Sequence, residues 1–301
     1  MDKESSLHAV MLSELPLVGD KAAARILEIN RRRSHTLGTF FRLPDAVLRD
    51  DYKLAARTVA RVCAERAAHE HRCQWLVDQV VQAGGMIWSL EDVDYPERLR
   101  LRLQPPATVL FGFGNPAVLT PPTLAVLNSR TLTEQAVSAS LLSVQSAAAQ
   151  GFALVGGGMK ATYRITAVAG RAAAAPRVIV LDRGLFASFG ARLDRDPFGF
   201  GPGRAPLDIE RTLVLSPFRL MDHAVAHNGK RRDATVAALA DVVVAVHARP
   251  GGEIEHVCLG ALDRGQTVLS WYGENPGLVA AGATPIQEAD LQNLRRFVPA
   301  C

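Results

Sequence analysis

Short apolar runs, each closed by glycine or a polar cluster, recur through the second two thirds of the chain. They are Leu124–Leu127, Phe152–Val155, Val178–Leu181, Thr212–Ser216, Asp241–Val246 (apolar after its first residue) and Val268–Tyr272. Each is strand-sized, and Asp241–Val246 has the valine-rich, non-alternating character of a central parallel strand. Helix-sized segments separate several of them. Thr133–Gln150 is rich in small residues and long enough for about four turns, a second such segment follows Gly156-Gly157-Gly158, and shorter helices are predicted over 234–240 and 254–262. The stretch from Leu124 to Leu181 therefore predicts β-α-β-α-β, the opening of an open parallel sheet.

The first third has a different rhythm. Val10, Leu12 and Leu15 precede the turn Pro16-Leu17-Val18-Gly19-Asp20, and Ala22, Ala23, Ile26 and Leu27 follow it. Pro16 stops one helix, Gly19 accepts an unusual backbone angle, and Asp20 is suited to cap the next helix. Residues 46–83 are predicted to be mostly helical, with Leu54, Val59, Val62, Leu76 and Val80 on apolar faces, until Gly84-Gly85 breaks the pattern. Met86-Ile87-Trp88 reads as a short strand. The domain boundary is accordingly set near residue 84, giving a helical domain over 1–84 and a sheet domain over 85–301. The stretch 187–211, with Phe198-Gly199-Phe200-Gly201-Pro202-Gly203, has the composition of a surface loop, and the tail from 287 reads as one short helix.

Composition adds little beyond an ordinary soluble globular class. No apolar run approaches the roughly 18 residues of a membrane span, and the charged Met1-Asp2-Lys3-Glu4 is not followed by the apolar stretch of a signal peptide. Four dispersed cysteines in a chain of this size point to a reduced, cytoplasmic setting. Cys63, His69, His71 and Cys73 invite a zinc reading. On one continuous helix His71 points away from His69 and Cys73, so the four cannot surround a tetrahedral ion. They are read as two half-buried thiols and two surface histidines, with no metal and no cofactor expected.

Charge is more telling in its distribution than in its net +4. Residues 21–72 carry twelve Lys or Arg against six acids, a basic excess suited to a polyanion and equally to a solvated helical surface. Ligands of an open parallel sheet bind outside the carboxyl ends of its strands. Those ends carry Asn128-Ser129-Arg130, then Gly156-Gly157-Gly158 with Lys160, and Pro250-Gly251-Gly252. His227-Asn228-Gly229-Lys230-Arg231-Arg232 precedes a helix. Cations there oppose the helix dipole, at a few tenths of a kcal/mol each, and are more readily explained by a bound anion. The candidate phosphate-binding set is Ser129, Arg130, Gly156, Gly157, Gly158, Lys160, Asn228, Lys230, Arg231, Arg232, Gly251 and Gly252, with no catalytic residue assigned.

The turn at 15–20 resembles a degenerate helix-hairpin-helix element, with Leu17 where that motif has its first glycine. Beyond it come Tyr95-Pro96-x2-Leu99, Pro105-Pro106-x2-Val109, Phe111-x2-Gly114-Asn115, Ser129-Arg130, the glycine loop and Gly184-Leu185. Leu239-x-Asp241, Gly252, Ala261-Leu262-x2-Gly265 and Gly282-Ala283 follow. In this order and spacing the chain resembles, over nearly its whole length, the DNA-processing protein A (Smf) family. The resemblance implies an extended Rossmann-like fold, with a mostly parallel sheet, behind a small helical domain. It also implies binding of single-stranded DNA without sequence preference, homodimerisation, and delivery of the strand to a RecA-type recombinase in DNA uptake and transformation. The family is not known for a robust enzymatic activity.

The sequence departs from the family in five places, one being the family's Arg-Asn-Arg before the helix, which is Arg232-Asp233-Ala234 here with Lys230 and Arg231 added upstream. The family's Gly-Ser-Arg is Asn128-Ser129-Arg130, and its Ser-Gly-Leu-Ala-x-Gly-Ile-Asp loop is reduced to residues 156–163. Its Pro-Gly after the last strand is Trp271-Tyr272-Gly273, and the winged-helix tail of many members does not appear.

Pro250-Gly251-Gly252 also resembles part of the Pro-Gly-Gly-x-Gly-Thr-x2-Glu loop of the lonely-guy phosphoribohydrolases. In that alignment Ile254 and Glu255 replace Gly-Thr, and Cys258 stands at the glutamate. A nucleotide-binding sensor or nucleotide-processing enzyme, with Glu253, Glu255 and His256 near its site, is the alternative. A structural protein with a vestigial site is the third reading.

Overall fold

The computed structural model describes residues 3–158, 161–193, 195 and 207–299. The chain divides into two compact units. One takes in Met1–Gly112, Gly184–Arg195 and Pro217–Asp222. The other takes in Phe113–Arg183, Asp196–Ser216 and His223–Cys301, each as far as its residues are described.

The first unit is built on helices α1 (Lys3–Ser13), α2 (Asp20–Arg32), α3 (Leu37–Phe40), α4 (Asp45–Asp50), α5 (Ala56–Cys63) and α6 (Arg66–Gln82). Strand β1 (Gly85–Ser89), helix α7 (Glu97–Arg102) and the start of β2 (Val109–Gly114) follow. The later segment 184–195 contributes α10 (Leu185–Phe189). Met11, Leu12, Leu15, Ile26, Phe40 and Leu48 are fully buried, and the Phe40 and Tyr52 rings meet edge-on at 5.2 Å. Tyr52 also donates to Asn30 Oδ1 (2.6 Å), so this deep hydroxyl has a partner.

The hairpin between α1 and α2 is a packing element. Leu17 takes φ 59°, the left-handed conformation that its glycine counterpart would hold freely, and its side chain is 70% exposed. Gly19, rather than Asp20, is the N-cap of α2. The hairpin's carbonyls face partners inside the same unit. Arg219 donates to Leu15 O (2.9 Å) and Val18 O (3.2 Å), and Thr58 Oγ1 donates to Pro16 O (2.7 Å).

The basic excess of residues 21–72 is partly absorbed locally. Arg31 and Arg32 pair with Glu28, Arg33 with Asp51, Arg49 with Asp45, Arg61 with Glu65, and Arg72 with Glu14. The reading of the Cys/His cluster needs correcting for three of its residues: neither thiol is half-buried, Cys63 being exposed and Cys73 fully buried. His69 is not a surface histidine but lies in the core at 2% exposure, with Nε2 on Met11 O (2.9 Å) and Cys73 beside it. Burial lowers its pKa and pushes the Cys73 thiol up to about 12, while Cys63 is exposed. Among the described residues no group of His, Cys, Asp or Glu could hold a metal ion. No helix among them is long and apolar enough to cross a membrane.

The second unit is doubly wound. Its elements are β3 (Thr123–Asn128), α8 (Glu134–Ala149), β4 (Ala153–Gly157), α9 (Arg164–Ala172), β5 (Arg177–Val180) and β6 (Thr212–Ser216). Then come α11 (Asn228–Leu239), β7 (Val242–His247), α12 (Glu253–Asp263), β8 (Thr267–Trp271), α13 (Pro276–Ala280) and β9 (Thr284–Ile286). The strand order within the unit is β6-β5-β4-β3-β7-β8-β9, with parallel ladders throughout.

Alternation divides the central strands between two cores. Leu124, Val126, Val242, Val244 and Val246 join Ala139, Val144 and Ala147 of α8 with Leu291 and Leu294 of the tail. Ala139, Ser143 and Ala147 keep one face of α8 small enough for close approach, and the buried Ser140 and Ser143 hydroxyls return to Ala136 O and Ala139 O. At the amino ends of β3 and β7, Asp241 accepts from both Thr123 N and Thr123 Oγ1, each at 3.0 Å, which locks their register.

Candidate functional site

From β3 the chain steps outward through β4, β5 and β6, then returns to lay β7 on the other side of β3. The strand order thus reverses at the β3/β7 junction. In an open parallel sheet such a reversal is where ligands bind, outside the carboxyl ends of the strands. The ladder is irregular at this point: Leu127 faces Ala245, but Asn128 faces His247. A bulge of this kind re-aims the residues that follow it.

The two loops are tied together across the junction. Ser129 N donates to His247 O (2.7 Å), and Arg249 N donates to Ser129 Oγ (2.8 Å). The Ser129 hydroxyl accepts that bond and keeps its own proton for a further acceptor. Arg130 and Arg249 are both exposed. Asn128, where the family has glycine, is 2% exposed; its amide donates to Ser140 Oγ (2.9 Å), while Oδ1 lacks a hydrogen-bond partner. Arg249 was missed by sequence reasoning. It lies 120 residues from Ser129, and only the β3–β7 pairing brings them together.

Gly251 and Gly252 follow Arg249 in the same loop, with their amides already engaged. Gly251, at φ 66°, donates to Glu255 Oε2 (2.6 Å), and Gly252 donates to Arg249 O (2.9 Å). The Glu255 carboxylate therefore sits where a phosphate on this loop would sit. Glu253 pairs with Lys230 (3.2 Å), and His256 Nδ1 contacts Gly252 O (2.8 Å). Cys258 is buried, and burial pushes its thiol up to about 12. The residues named for nucleotide chemistry are thus occupied in shaping the start of α12.

The basic run behaves differently from expectation. Its helix begins at Asn228, not near 234, so residues 230–232 lie on the helix. Successive side chains there are about 100° apart and cannot face one ligand together. Lys230 is outermost, with a side chain 71% exposed, and its partner Glu253 brings it beside the Gly252 loop. Arg231 is half-buried. Arg232 turns inward: its side chain is 6% exposed, Nε donates to Asp233 Oδ1 (2.9 Å), and NH1 lies 3.2 Å from Asp182 Oδ2.

Arg232 also lies over the Tyr163 ring, 5.5 Å from its centre, and Tyr163 donates to Asp233 Oδ1 (2.9 Å). Burial and then the Asp233 carboxylate hold the Tyr163 phenol well above its usual range. Burial opposes the charged guanidinium, but Asp233, Tyr163 and Asp182 outweigh it and raise its pKa. Arg232 is therefore a buried tie between β5 and α11. The correction follows from helix geometry, which a run of like charges does not disclose.

The glycines are likewise structural where they are described. Gly156 and Gly157 are the last residues of β4, paired with Ile179 and Val180, and Gly158 N donates to Val180 O (2.7 Å). The amide expected to meet a phosphate at Gly158 is spent in the sheet. Gly157 is needed for space: a Cβ there would come within 2.5 Å of the Tyr163 ring and 2.6 Å of Arg232 Cδ. Asn228 spans the same region, donating to Asp182 O (2.8 Å) and His223 O (3.3 Å). Lys160 and the segment 198–203 lie outside the described residues.

The predicted set thus resolves into two groups. Ser129, Arg130, Gly251, Gly252 and Lys230 gather around the β3/β7 junction, joined by Arg249. Gly156, Gly157, Gly158, Asn228 and Arg232 build the neighbouring β4–β5 edge from within.

This fold matches that of known proteins. Residues 86–283 match the family model for DNA recombination-mediator protein A. The crystal structure of DNA processing protein A from Streptococcus pneumoniae is similar with a TM-score of 0.71 at 17% identity, covering 100% of this chain and 99% of that one. A structure of DNA processing protein A from Helicobacter pylori, described for its single-stranded DNA binding mode, is similar with a TM-score of 0.55 at 17% identity. It covers 72% of this chain and 99% of that one. No curated protein matches the sequence. At these identities the structural likeness speaks for the fold, while the family model spans well over half of the chain. With that match and the ordered motifs from Tyr95-Pro96 to Gly282-Ala283, this chain is a member of the DNA-processing protein A family.

Proposed function

We propose that the chain binds single-stranded DNA across the carboxyl ends of β3 and β7, with backbone phosphates held by Ser129, Arg130, Arg249 and Lys230. The observation that carries the reading is the junction itself. Ser129 is followed in the chain by the exposed Arg130, and its hydroxyl is held by the backbone N–H of a second exposed arginine, Arg249. Guanidinium forks suit phosphate oxygens, and contacts to the backbone alone need no base identity. Arg232, Asn228 and the Gly156–Gly158 segment act as positioning residues. A mononucleotide cradle is disfavoured because the Gly251 amide is filled by Glu255.

The family's description as a recombination mediator supports a role in recombination, and the resemblance extends it to homodimerisation and to handing the strand to a RecA-type recombinase during DNA uptake. Light scattering measures the first, and strand-exchange stimulation the second.

The decisive experiment is a titration of a labelled oligo-dT against salt for the wild type and for Arg130→Ala with Arg249→Ala. Each lost phosphate contact lowers the slope of log K against log salt by about 0.7 on a single strand, so the double variant is expected to bind weakly with a slope about 1.4 shallower. An unchanged slope, or calorimetry showing preference for a mononucleotide, refutes the reading.

A further inference from the structure

Where the family carries Pro-Gly, this chain ends β8 with Trp271-Tyr272-Gly273. Tyr272 is 72% exposed, and no described aromatic residue is more so. Its backbone is nonetheless firmly held. Tyr272 N donates to Ile286 O of β9 (2.8 Å), and Glu274 N donates to Trp271 O (3.1 Å), closing a tight turn that Gly273 permits at φ 80°.

The turn is fastened to the proposed DNA site by two side chains. Glu274 Oε2 lies 3.0 Å from His247 Nδ1, and His247 O is the acceptor of Ser129 N. Asn275, buried at 4%, accepts from Ala248 N (2.7 Å) and donates to Ala245 O, Val246 O and Ser270 Oγ at 3.0–3.2 Å. The carboxyl ends of β3, β7 and β8 therefore form one rigid edge. Neighbouring strands lie about 4.8 Å apart, which sets the β8 turn roughly 10 Å from the Ser129 loop.

We propose that Tyr272 is a base-stacking residue, one flank of a single-stranded DNA path whose phosphates lie at the β3/β7 junction; this rests on the proposed DNA binding. An exposed ring on a stiff turn supplies a π-face at little entropic cost on binding. Stacking is tolerant of base identity, which suits a site that grips phosphates without reading sequence.

Oligo-dT binding by fluorescence anisotropy tests it, comparing wild type, Tyr272→Ala and Tyr272→Phe, with an abasic oligonucleotide of equal length as the second probe. Tyr272→Ala is expected to weaken oligo-dT binding about 5- to 150-fold, the range of a lost base–aromatic stack, with the salt slope unchanged. Tyr272→Phe keeps the affinity, and the abasic strand binds both proteins alike. Equal oligo-dT affinity for Tyr272→Ala and wild type overturns the proposal, as does an equal loss on the abasic strand. If wild type binds oligo-dT and Arg130→Ala with Arg249→Ala weakens it with a shallower salt slope while Tyr272→Ala leaves the affinity unchanged, the stacking role fails and DNA binding stands. Absence of oligo-dT binding by wild type refutes both.

Discussion

Replacing Arg232 with Ala is expected to cost the protein stability and to leave its DNA-binding electrostatics alone. The substitution removes a guanidinium whose side chain is 6% exposed and takes an ion-pair partner from Asp233, 3% exposed, which keeps the Tyr163 hydroxyl, and from Asp182, 16% exposed, which keeps Arg183. Breaking a buried pair from one side costs about 3–5 kcal/mol, because a buried charge is left uncompensated. The lost contact over the Tyr163 ring acts in the same direction and is not additive with it. The upper figure is comparable to a small domain's whole margin of 5–15 kcal/mol. In urea, with a slope of about 3 kcal/mol/M, the midpoint should fall by about 1 M or more, read by fluorescence and circular dichroism. Arg232→Met combined with Asp233→Asn should recover much of the loss, since it removes the Asp233 charge together with its partner. The salt slope for oligo-dT should match the wild type after correction for the folded fraction. Wild-type stability with a shallower salt slope would refute this assignment and restore Arg232 to the DNA surface.

Three further predictions concern other parts of the molecule. Glu255→Ala releases the Gly251 amide and removes a negative charge from this loop, and is expected to tighten oligo-dT binding about 2- to 5-fold, the size of a helix-terminus charge effect; unchanged affinity would mean that phosphates do not approach the loop. His69 has a folded pKa below its unfolded 6.5, so its unfolded form binds the extra proton. The stability it contributes is fully present above pH 6.5 and is lost as pH falls from there toward the folded value. Thermal melts between pH 7.5 and 5 should therefore decline less steeply for His69→Gln than for wild type, and parallel curves would contradict the assignment. Leu17→Gly should stabilise the protein by about 0.5–1 kcal/mol in urea unfolding, because Leu17 holds a left-handed conformation and buries little; destabilisation would show that its side chain has a role that its exposure does not suggest.

The strands and their parallel arrangement were legible because they depend on neighbours in sequence. Thr212–Ser216 matches its predicted bounds, and the other central strands fall within a residue or two. Small-residue helices and valine-rich runs can be recognised without knowing what packs on them. The start of α11 was less legible: Asn228 to Asp233 has the composition of a loop, and its side chains are held by Asp182, His223 and Tyr163 from elsewhere in the chain. His69 could not be told from a surface histidine, since its partner Met11 is 58 residues away.

By itself the sequence determined the doubly wound fold, the family, and the strand ends at which a ligand site would lie. These follow from local periodicity, from glycine and proline punctuation, and from the order of short motifs. Tertiary structure alone decided which charges face solvent. It turned Arg232 inward onto Asp182 and brought Arg249 against Ser129 across 120 residues. It also set Glu255 on the Gly251 amide and presented Tyr272 on a turn stapled to β7. Charge composition is a property of residues taken singly, whereas a charge's availability depends on its burial and its partner, and those are fixed only when distant strands meet.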